Sequence, residues 1–337
     1  MDPRGFPTTL PEFQRVFPDD RACATYLEHL RWADGFACPK CGVIGEPYRF
    51  AARPGVLRCR DCKSNVSLTA KTVMDHTHTP LSVWFWASYL VTTQTPGQSA
   101  VQFQRQLGLT RYETAYQILH KLRAGMVRPH RDTIGAEHPV EVDETLVGGR
   151  TKGEGKGVHH KAMVLGAIEV RTREDDGKAH RRGVYAGRLR LQLVTDRKAV
   201  TCEGFVRDNV ARGALVRTDG WQGYDGLTVG GWRHDGIAVN ADHSITEAHL
   251  PMLHIVFSNL KAWILGTHHG VSQQHLQAYL SEYTFRFNRR FYPMTAFNSL
   301  LGLGVKTIPP TYASLYSGVW EHPGGQPKSP QIEMPFA

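Results

Sequence analysis

The chain has 337 residues, of which 41% are hydrophobic and 21% charged, which is enough for about two domains with a buried core. No window approaches the roughly 20 consecutive apolar residues of a membrane span, and the first residues lack a secretion signal. We therefore expect a cytoplasmic protein without membrane segments. The net charge of +9 and the pI near 9.3 favour a polyanionic partner.

Two Cys-x-x-Cys motifs follow a predicted helical lead over residues 1–35. Each motif can direct two thiolates at one ion, and two motifs complete the four-sulfur shell that structural zinc prefers. A pair of disulfides is the alternative, which a reducing cytosol disfavours. We predict a zinc ribbon over residues 36–72 and expect the other two cysteines, Cys23 and Cys202, to be buried apolar residues. The predicted ligands of the structural Zn²⁺ are Cys38, Cys41, Cys59 and Cys62.

Apolar residues recur at helical spacing through residues 80–130, in segments that begin near Leu81, Ser99 and Thr110. A turn containing Gly108 joins the last two segments, and the final segment is rich in polar and basic side chains. This arrangement predicts a helix-turn-helix that binds DNA, with a plain helical hairpin as the alternative. The candidate DNA contacts in this region are Arg105, Arg111, Lys121 and Arg123.

The pattern changes to an alternation of strands and helices beyond about residue 138. Three successive strands followed by helix and strand alternation indicate an α/β domain built on a mixed sheet, which we place at residues 138–305. Residues 306–337 are predicted to form an irregular tail. Strands are predicted at 140–145, 162–170, 189–194, 214–218 and around 237–239, and helices at 199–212 and 250–265.

Two aspartates occupy positions that the predicted sheet can bring together. Asp143 lies in an otherwise apolar strand, and Asp219 follows the carboxyl end of a later strand. Buried like charges repel, so two such carboxylates persist together mainly where a cation neutralises them. Each residue alone has a structural alternative, a carboxylate at a strand edge for Asp143 and a turn cap before Gly220 for Asp219. Together they predict a divalent metal site, in which two Mg²⁺ ions could activate a nucleophile and stabilise a leaving oxygen.

The combined motifs closely resemble bacterial insertion-sequence transposases, in the branch with an N-terminal zinc ribbon and a DDE-type, ribonuclease-H-like catalytic domain. The resemblance extends over roughly residues 20–305. It implies that Asp143 and Asp219 are the first two members of an acidic triad. Beyond the ribbon and the helix-turn-helix, the motifs that carry it are Val140–Thr145, Arg217–Trp221, His254–Lys261, Gly266–Gly270 and Phe285–Arg290.

The third member departs from the usual pattern, because helix 250–265 contains no Asp or Glu. The resemblance places this ligand two helical turns before a basic residue, which implies His254 followed by Lys261. Asn259 and Glu247 are the alternatives. Since imidazole suits transition metals better than Mg²⁺, we expect Mn²⁺ to serve comparatively well. Lys261 is expected to contact a DNA phosphate near the scissile bond, with an ordinary solvated lysine as the alternative.

The resemblance implies a bacterial, nucleoid-associated DNA transposase that binds terminal inverted repeats and then cuts and joins DNA strands. It also implies a homodimer or larger oligomer on double-stranded DNA. A zinc-dependent DNA-binding regulator or a catalytically decayed transposase is the first alternative, motivated by the missing third acid. A nuclease acting on RNA–DNA hybrids is the second. Further candidate DNA contacts are Arg286, Arg289 and Arg290.

Overall fold

The computed structural model describes residues 7, 9–128, 132–148, 161–173, 183–237 and 248–317, which divide into two compact units. The first unit holds the described residues up to Arg128 and those from Arg289 onward, and the second holds those from Asp132 to Asn288. None of the described helices is long and apolar enough to cross a membrane.

The secondary structure is numbered in chain order. The strands are β1 (Tyr48–Phe50), β2 (Arg53–Arg58), β3 (Asn65–Ser67), β4 (Val140–Val147), β5 (Ala162–Thr172), β6 (Val184–Val194), β7 (Leu215–Thr218) and β8 (Arg233–Gly236). The helices are α1 (Leu10–Val16), α2 (Asp20–Arg31), α3 (Leu81–Thr93), α4 (Ala100–Gln106), α5 (Tyr112–Gly125), α6 (Ala199–Asn209), α7 (Pro251–Trp263), α8 (Gln273–Phe287), α9 (Pro293–Gly304) and α10 (Tyr312–Ser317). A 3₁₀ helix covers Gln222–Leu227, and a π-helical turn covers Ile264–His268.

The helical lead is two capped helices rather than one. Thr9 and Glu12 form a reciprocal capping box at the start of α1, and the Asp19 carboxylate accepts the Ala22 N–H at the start of α2. Phe13 is fully buried, and its ring packs edge to face on Phe297 of α9. This aromatic core explains why the chain after Asn288 belongs to the first unit, whereas the sequence analysis placed residues up to 305 in the α/β domain.

The zinc-ribbon region folds as a small antiparallel sheet in the order β1-β2-β3. Leu57 at the centre of β2 is buried and pairs with Arg49 on one side and Val66 on the other.

Further along the first unit, α4 and α5 are joined by a turn in which Gly108 adopts a φ of +62°, a conformation that favours glycine.

The second unit is an α/β fold on a five-stranded mixed sheet in the order β6-β5-β4-β7-β8. Strands β4, β5 and β6 pair antiparallel, whereas β7 is parallel to both β4 and β8. Helices α7 and α8 pack on one face, and α6 with the 3₁₀ helix packs on the other. The α/β mixed sheet predicted from the sequence is confirmed.

Helix α7 lies unusually close to the sheet at Gly166, which is paired with Asp143 across the β4–β5 ladder. A Cβ atom at position 166 would lie 2.8 Å from the Phe257 ring and 3.0 Å from Leu253, both on α7. The absence of a side chain at Gly166 therefore allows α7 to rest directly on the strand backbone beside Asp143.

The described elements that were not predicted from the sequence include α10, within the predicted irregular tail, and the strand Arg233–Gly236. The strand forms through backbone pairing with β7 although it carries no apolar side chain. Most of the predicted strand around 237–239 lies outside the described residues.

Candidate active site

Asp143 is a nearly buried carboxylate on β4. It lies on the sheet face that α7 covers, and its Oδ1 accepts the Glu144 backbone N–H at 2.7 Å. The ladder between β4 and β7 ends at the pair of Glu141 and Arg217. Asp143 therefore lies just beyond the point where β7 stops covering the edge of β4.

Asp219 follows the last residue of β7, the strand parallel to β4. Its Oδ1 accepts the Trp221 N–H at 3.0 Å, and Gly220 between them adopts a φ of +75°. This tight turn directs the carboxylate toward the carboxyl edge of the sheet, where the sequence predicted that it would meet Asp143. Burial, followed by the nearby charge of Asp143, raises the Asp219 pKa, while the Trp221 N–H opposes that shift.

A third carboxylate, Glu144, joins these two. One oxygen from each of Asp143, Glu144 and Asp219 lies within 4.8 Å of the others. Glu144 is held from the opposite side, since its Oε1 accepts Arg197 Nη1 and its Oε2 accepts the Tyr224 hydroxyl, both at 3.1 Å. Burial and then the charge of Asp143 raise the Glu144 pKa. Because burial and the charge of Asp143 raise the pKa of both Glu144 and Asp219, a divalent cation would stabilise the three carboxylates.

Sequence reasoning missed Glu144, because neighbouring residues of a strand point to opposite faces. Glu144 can nevertheless approach Asp143 and Asp219, because the β4–β7 ladder ends before Glu144 and Asp219 lies just beyond the end of β7. The available signal was the acidic density of Glu141-Val-Asp143-Glu144 in a strand that is otherwise apolar.

His254 lies on α7, which covers most of the predicted helix 250–265, and it faces Asp143. Its Nε2 is 3.1 Å from Asp143 Oδ2, and its side chain is 29% exposed. The imidazole can therefore donate to Asp143 in the absence of metal, or offer its nitrogen to an ion held by the same carboxylate. The mutually close donors are the three carboxylates, which suit Mg²⁺ and Mn²⁺, and His254 contacts one of the three, Asp143.

The start of α7 is anchored to the same strand by Glu141. This side chain is fully buried, and its Oε2 accepts the Leu253 N–H at 2.7 Å. Burial raises the Glu141 pKa to about 7, against the opposing effect of the Leu253 and Met252 N–H groups. Glu141 thus ties the first turn of α7 to β4 one residue before His254.

Lys261 is two turns further along α7 and is exposed. Burial of its stem and then the nearby charge of Lys161 lower its pKa, while Asp143 opposes that shift. Of the alternative third ligands, Asn259 is an exposed residue of α7, and Glu247 lies outside the described residues.

The four ribbon cysteines form one cluster, as predicted. Sγ of Cys38 is 3.7 Å from that of Cys62, and Cys41 and Cys59 are separated by the same distance. All four are free thiols whose sulfurs lie within 4.8 Å of one another. Zinc–sulfur bonds of about 2.3 Å in a tetrahedron place the sulfurs about 3.8 Å apart, so the cluster fits the predicted zinc. Cys23 and Cys202 are buried, as expected.

The seven predicted DNA contacts divide by exposure. Arg105, Arg111 and Arg290 are exposed and can reach a phosphate. Lys121 is half-buried and donates to the Asp75 carbonyl at 2.8 Å, and Arg123 is only 2% exposed within the α5 packing.

The two remaining arginines are also partly withdrawn from solvent. Arg286 Nη1 lies 3.5 Å from the buried carboxylate of Glu282, and its own side chain is 12% exposed. Burial, followed by the charge of Arg128, lowers the Arg289 pKa to about 10.

The buried Arg123 is not available to DNA in this structure, which corrects the prediction made from its sequence position.

Comparison with known proteins identifies both regions. Residues 135–288 match the ISXO2-like transposase domain, and residues 18–65 match the transposase zinc-ribbon domain. The chain is also 29% identical over 305 residues to an uncharacterized protein in transposable element ISH50 of Halobacterium salinarum, covering 81% of this chain and 92% of the relative. No solved structure matches the chain. The first match contains the carboxylate site with His254 and Lys261, and the second contains the cysteine cluster.

Proposed function

The chain carries both domains of an insertion-sequence transposase, a zinc ribbon and a DDE-type domain, and we propose on this premise that it is a DNA transposase. It binds the terminal inverted repeats of its element, cuts a strand at the element end and joins that end to target DNA. The convergence of Asp143, Glu144 and Asp219 within 4.8 Å, inside the transposase-domain match, is the observation that carries this proposal. The sheet order β6-β5-β4-β7-β8 supports a ribonuclease-H-like domain.

The chemistry is phosphoryl transfer without a covalent protein intermediate. Water attacks the phosphorus in line and the P–O3′ bond breaks, which frees a 3′-hydroxyl that then attacks a phosphodiester of the target. Divalent ions bound at this site would activate the attacking oxygen and stabilise the leaving oxygen. Asp143 and Asp219 are the proposed ligands, each oriented by a backbone N–H from a neighbouring residue.

His254 remains the proposed third ligand, because its Nε2 already lies 3.1 Å from Asp143 Oδ2. Glu144 adds a third carboxylate within reach of the same ion, and Arg197 and Tyr224 hold it in place. Lys261 is exposed on the helix that carries His254, and we assign it to a phosphate of the bound DNA.

DNA affinity is assigned to the exposed cations of the first unit. Arg105 of α4 and Arg111 just before α5 flank the turn of the proposed helix-turn-helix. Arg60 and Lys63 are exposed on the second zinc knuckle. Because such contacts displace counterions from the phosphates, end binding should weaken steeply with added salt. Joining of two element ends would require at least a dimer on the DNA.

Cleavage and strand transfer on a labelled duplex carrying the element's terminal repeat, with Mg²⁺ or Mn²⁺, test the proposal. Asp143→Asn and Asp219→Asn should abolish both reactions while the DNA is still bound. Asp208→Asn, which changes an exposed carboxylate of α6, is the matched control and should keep wild-type rates. Binding of the end without any cutting by the wild-type protein would instead establish a DNA-binding regulator. Cutting confined to an RNA–DNA hybrid would establish a hybrid nuclease.

A further inference from the structure

A cavity of about 220 Å³ lies at the far end of the β4–β5 ladder, in the same unit as the carboxylate site. The strand side of the cavity is formed where β4 ends at Val147 and where Lys161 precedes β5. Its helical side is formed by Lys261, Ile264 and Leu265. Together with Gly270 these residues are called the lysine pocket. The proposed mechanism uses only Lys261 of this set.

The helical wall of the lysine pocket has an unusual backbone. Helix α7 continues without a break into the π-helical turn Ile264–His268, a conformation that is rare and concentrated at functional sites. Ile264 is 4% exposed, whereas the next residue, Leu265, is 65% exposed beside the cavity. The π-helical turn thus contributes a buried side chain, Ile264, and a solvent-exposed one, Leu265, to the lining of the cavity.

Two ammonium groups line the same cavity. Lys161 is close enough to contribute to the lowered pKa of Lys261. Within the part of the chain that the structure describes, neither lysine forms an ion pair with a carboxylate. Two cations that line one cavity and pair with no carboxylate of the described residues, next to the exposed Leu265, are complementary to a ligand that combines an anion with a flat apolar body.

We propose that the lysine pocket binds a single nucleotide of the element end, the one that flanks the phosphate to be cut. The base lies against Ile264 and Leu265, and its phosphate is bound by Lys161 and Lys261. The cavity is smaller than the roughly 300 Å³ at which pockets for larger organic ligands begin, which favours a small occupant such as one base. Lys261 connects this pocket to the carboxylate site, because it lines the cavity and lies on α7 two turns after His254. This inference rests on the proposed transposase function.

A fluorescent base analogue tests the pocket. A terminal-repeat duplex carries 2-aminopurine at the nucleotide flanking the scissile phosphate, and it is bound with Ca²⁺ in place of Mg²⁺. The fluorescence of this base is quenched by stacking in DNA, so extrusion into an aliphatic pocket should raise it several-fold. Leu265→Ala and Lys161→Met should remove most of the rise. Val229→Ala and Lys306→Met, at two other exposed positions, should leave it unchanged.

An abasic end supplies the second readout. On the normal duplex, Leu265→Ala should weaken end binding by about tenfold, since it removes aliphatic surface that the base covers. On a duplex lacking that one base, wild type and Leu265→Ala should bind equally. Equal thermal unfolding of both proteins excludes a folding defect as the cause.

The pocket and the proposed function fail in different ways. If wild type cuts the end but its bound duplex shows no fluorescence rise, the nucleotide pocket is wrong and the transposase proposal stands. If Leu265→Ala weakens binding equally on the normal and abasic duplexes, the base does not occupy the pocket. If wild type never cuts but the fluorescence rise depends on Leu265 and Lys161, the pocket stands and the catalytic proposal is wrong.

Discussion

His254 and Asp143 are linked across the gap between helix and strand, with Nε2 3.1 Å from Oδ2. The adjacent residue Leu253 donates its N–H to Glu141 at 2.7 Å, so two residues of α7 are bonded to two residues of β4. The imidazole is therefore held at the carboxylate by the protein framework. Its proposed role as third ligand depends on that fixed position.

His254→Ala should lower cleavage by about 10-fold to 100-fold while binding of the element end is kept, as expected for loss of a ligand or its support. His254→Glu should recover activity and change its metal dependence. The added carboxylate favours Mg²⁺, whereas the native imidazole favours Mn²⁺. The ratio of cleavage rates in the two metals is the measurement. Wild-type rates for His254→Ala in both metals would rule out the histidine as a ligand.

Glu144→Gln should weaken Mn²⁺ binding by about tenfold, because it removes one negative oxygen donor. The amide oxygen can still accept from Arg197, and the amide NH₂ can donate to the Tyr224 hydroxyl, which both accepts and donates. Titration calorimetry or the Mn²⁺ electron paramagnetic resonance signal measures this without DNA or turnover. Asp225→Asn, at an exposed carboxylate of the 3₁₀ helix, is the control. Unchanged Mn²⁺ affinity in Glu144→Gln would assign Glu144 to a structural role beside the site.

The positions of helices and strands could be predicted from the sequence wherever buried apolar residues define the element. Strand β5 is a long, largely apolar run, and the first four residues of β4 are buried; the positions of both strands were predicted to within two residues. Strand β8 was not predicted because Arg233–Gly236 has no apolar pattern, and it is a strand through its pairing with β7. The π-helical turn after α7 also leaves no signal in hydrophobic spacing.

The site was predictable in part. Asp219 was placed correctly relative to Asp143 because parallel strands end at the same edge. The family's spacing led to His254, which lies beside Asp143 and whose role as a ligand stays a prediction. The position of Glu144 depends on where the β4–β7 ladder ends, which no local pattern encodes. The burial of Arg123 likewise follows from the packing of α5 and not from its charge.

Removal of zinc should unfold the ribbon and with it abolish end binding. The metal supplies on the order of 10 kcal/mol of local folding free energy in such sites. Cys41→Ser should lose bound zinc in a colorimetric chelator assay and lose DNA affinity in parallel. Cys202→Ala, at a buried cysteine of the other unit, should retain zinc. Full zinc content in Cys41→Ser would contradict the four-cysteine site.

The Glu169 carboxylate should make the free energy of unfolding decrease at acid pH. Burial alone would raise its pKa, but hydrogen bonds from Arg188 and Arg171 hold it at about 2. Because the folded pKa lies below the unfolded value of about 4.3, the stabilisation is present above that pH and is lost as pH falls toward 2. Glu169→Gln should cost on the order of 3 kcal/mol at pH 7.

Urea unfolding between pH 7 and pH 2.5 measures this effect. The difference between Glu169→Gln and wild type should shrink as the pH falls, since wild type then loses the same interactions. Glu203→Gln, at a half-buried carboxylate of α6, serves as the control. A difference that stays constant over the whole range would show that the charge of Glu169 is not the source of its stabilisation.

Gly166→Ala should destabilise the second unit by about 1–3 kcal/mol, since the new methyl would overlap the Phe257 ring. It should also reduce cleavage more than it reduces DNA binding, because α7 carries His254. Gly204→Ala on α6, where a Cβ meets only the end of Arg207, is the matched control. Wild-type cleavage in a stably folded Gly166→Ala would separate the helix position from catalysis.

The missing side chain at position 166 also bears on how the proposed transposase can change over time. The distance between the imidazole and the carboxylate depends on the packing of α7 on the sheet, so a substitution at a packing residue such as Phe257 can impair the proposed reaction without altering any proposed ligand. A copy of the proposed element could lose its mobility through such a substitution while every proposed metal ligand remains intact. Intact ligands alone are therefore a poor guide to which copies are still active.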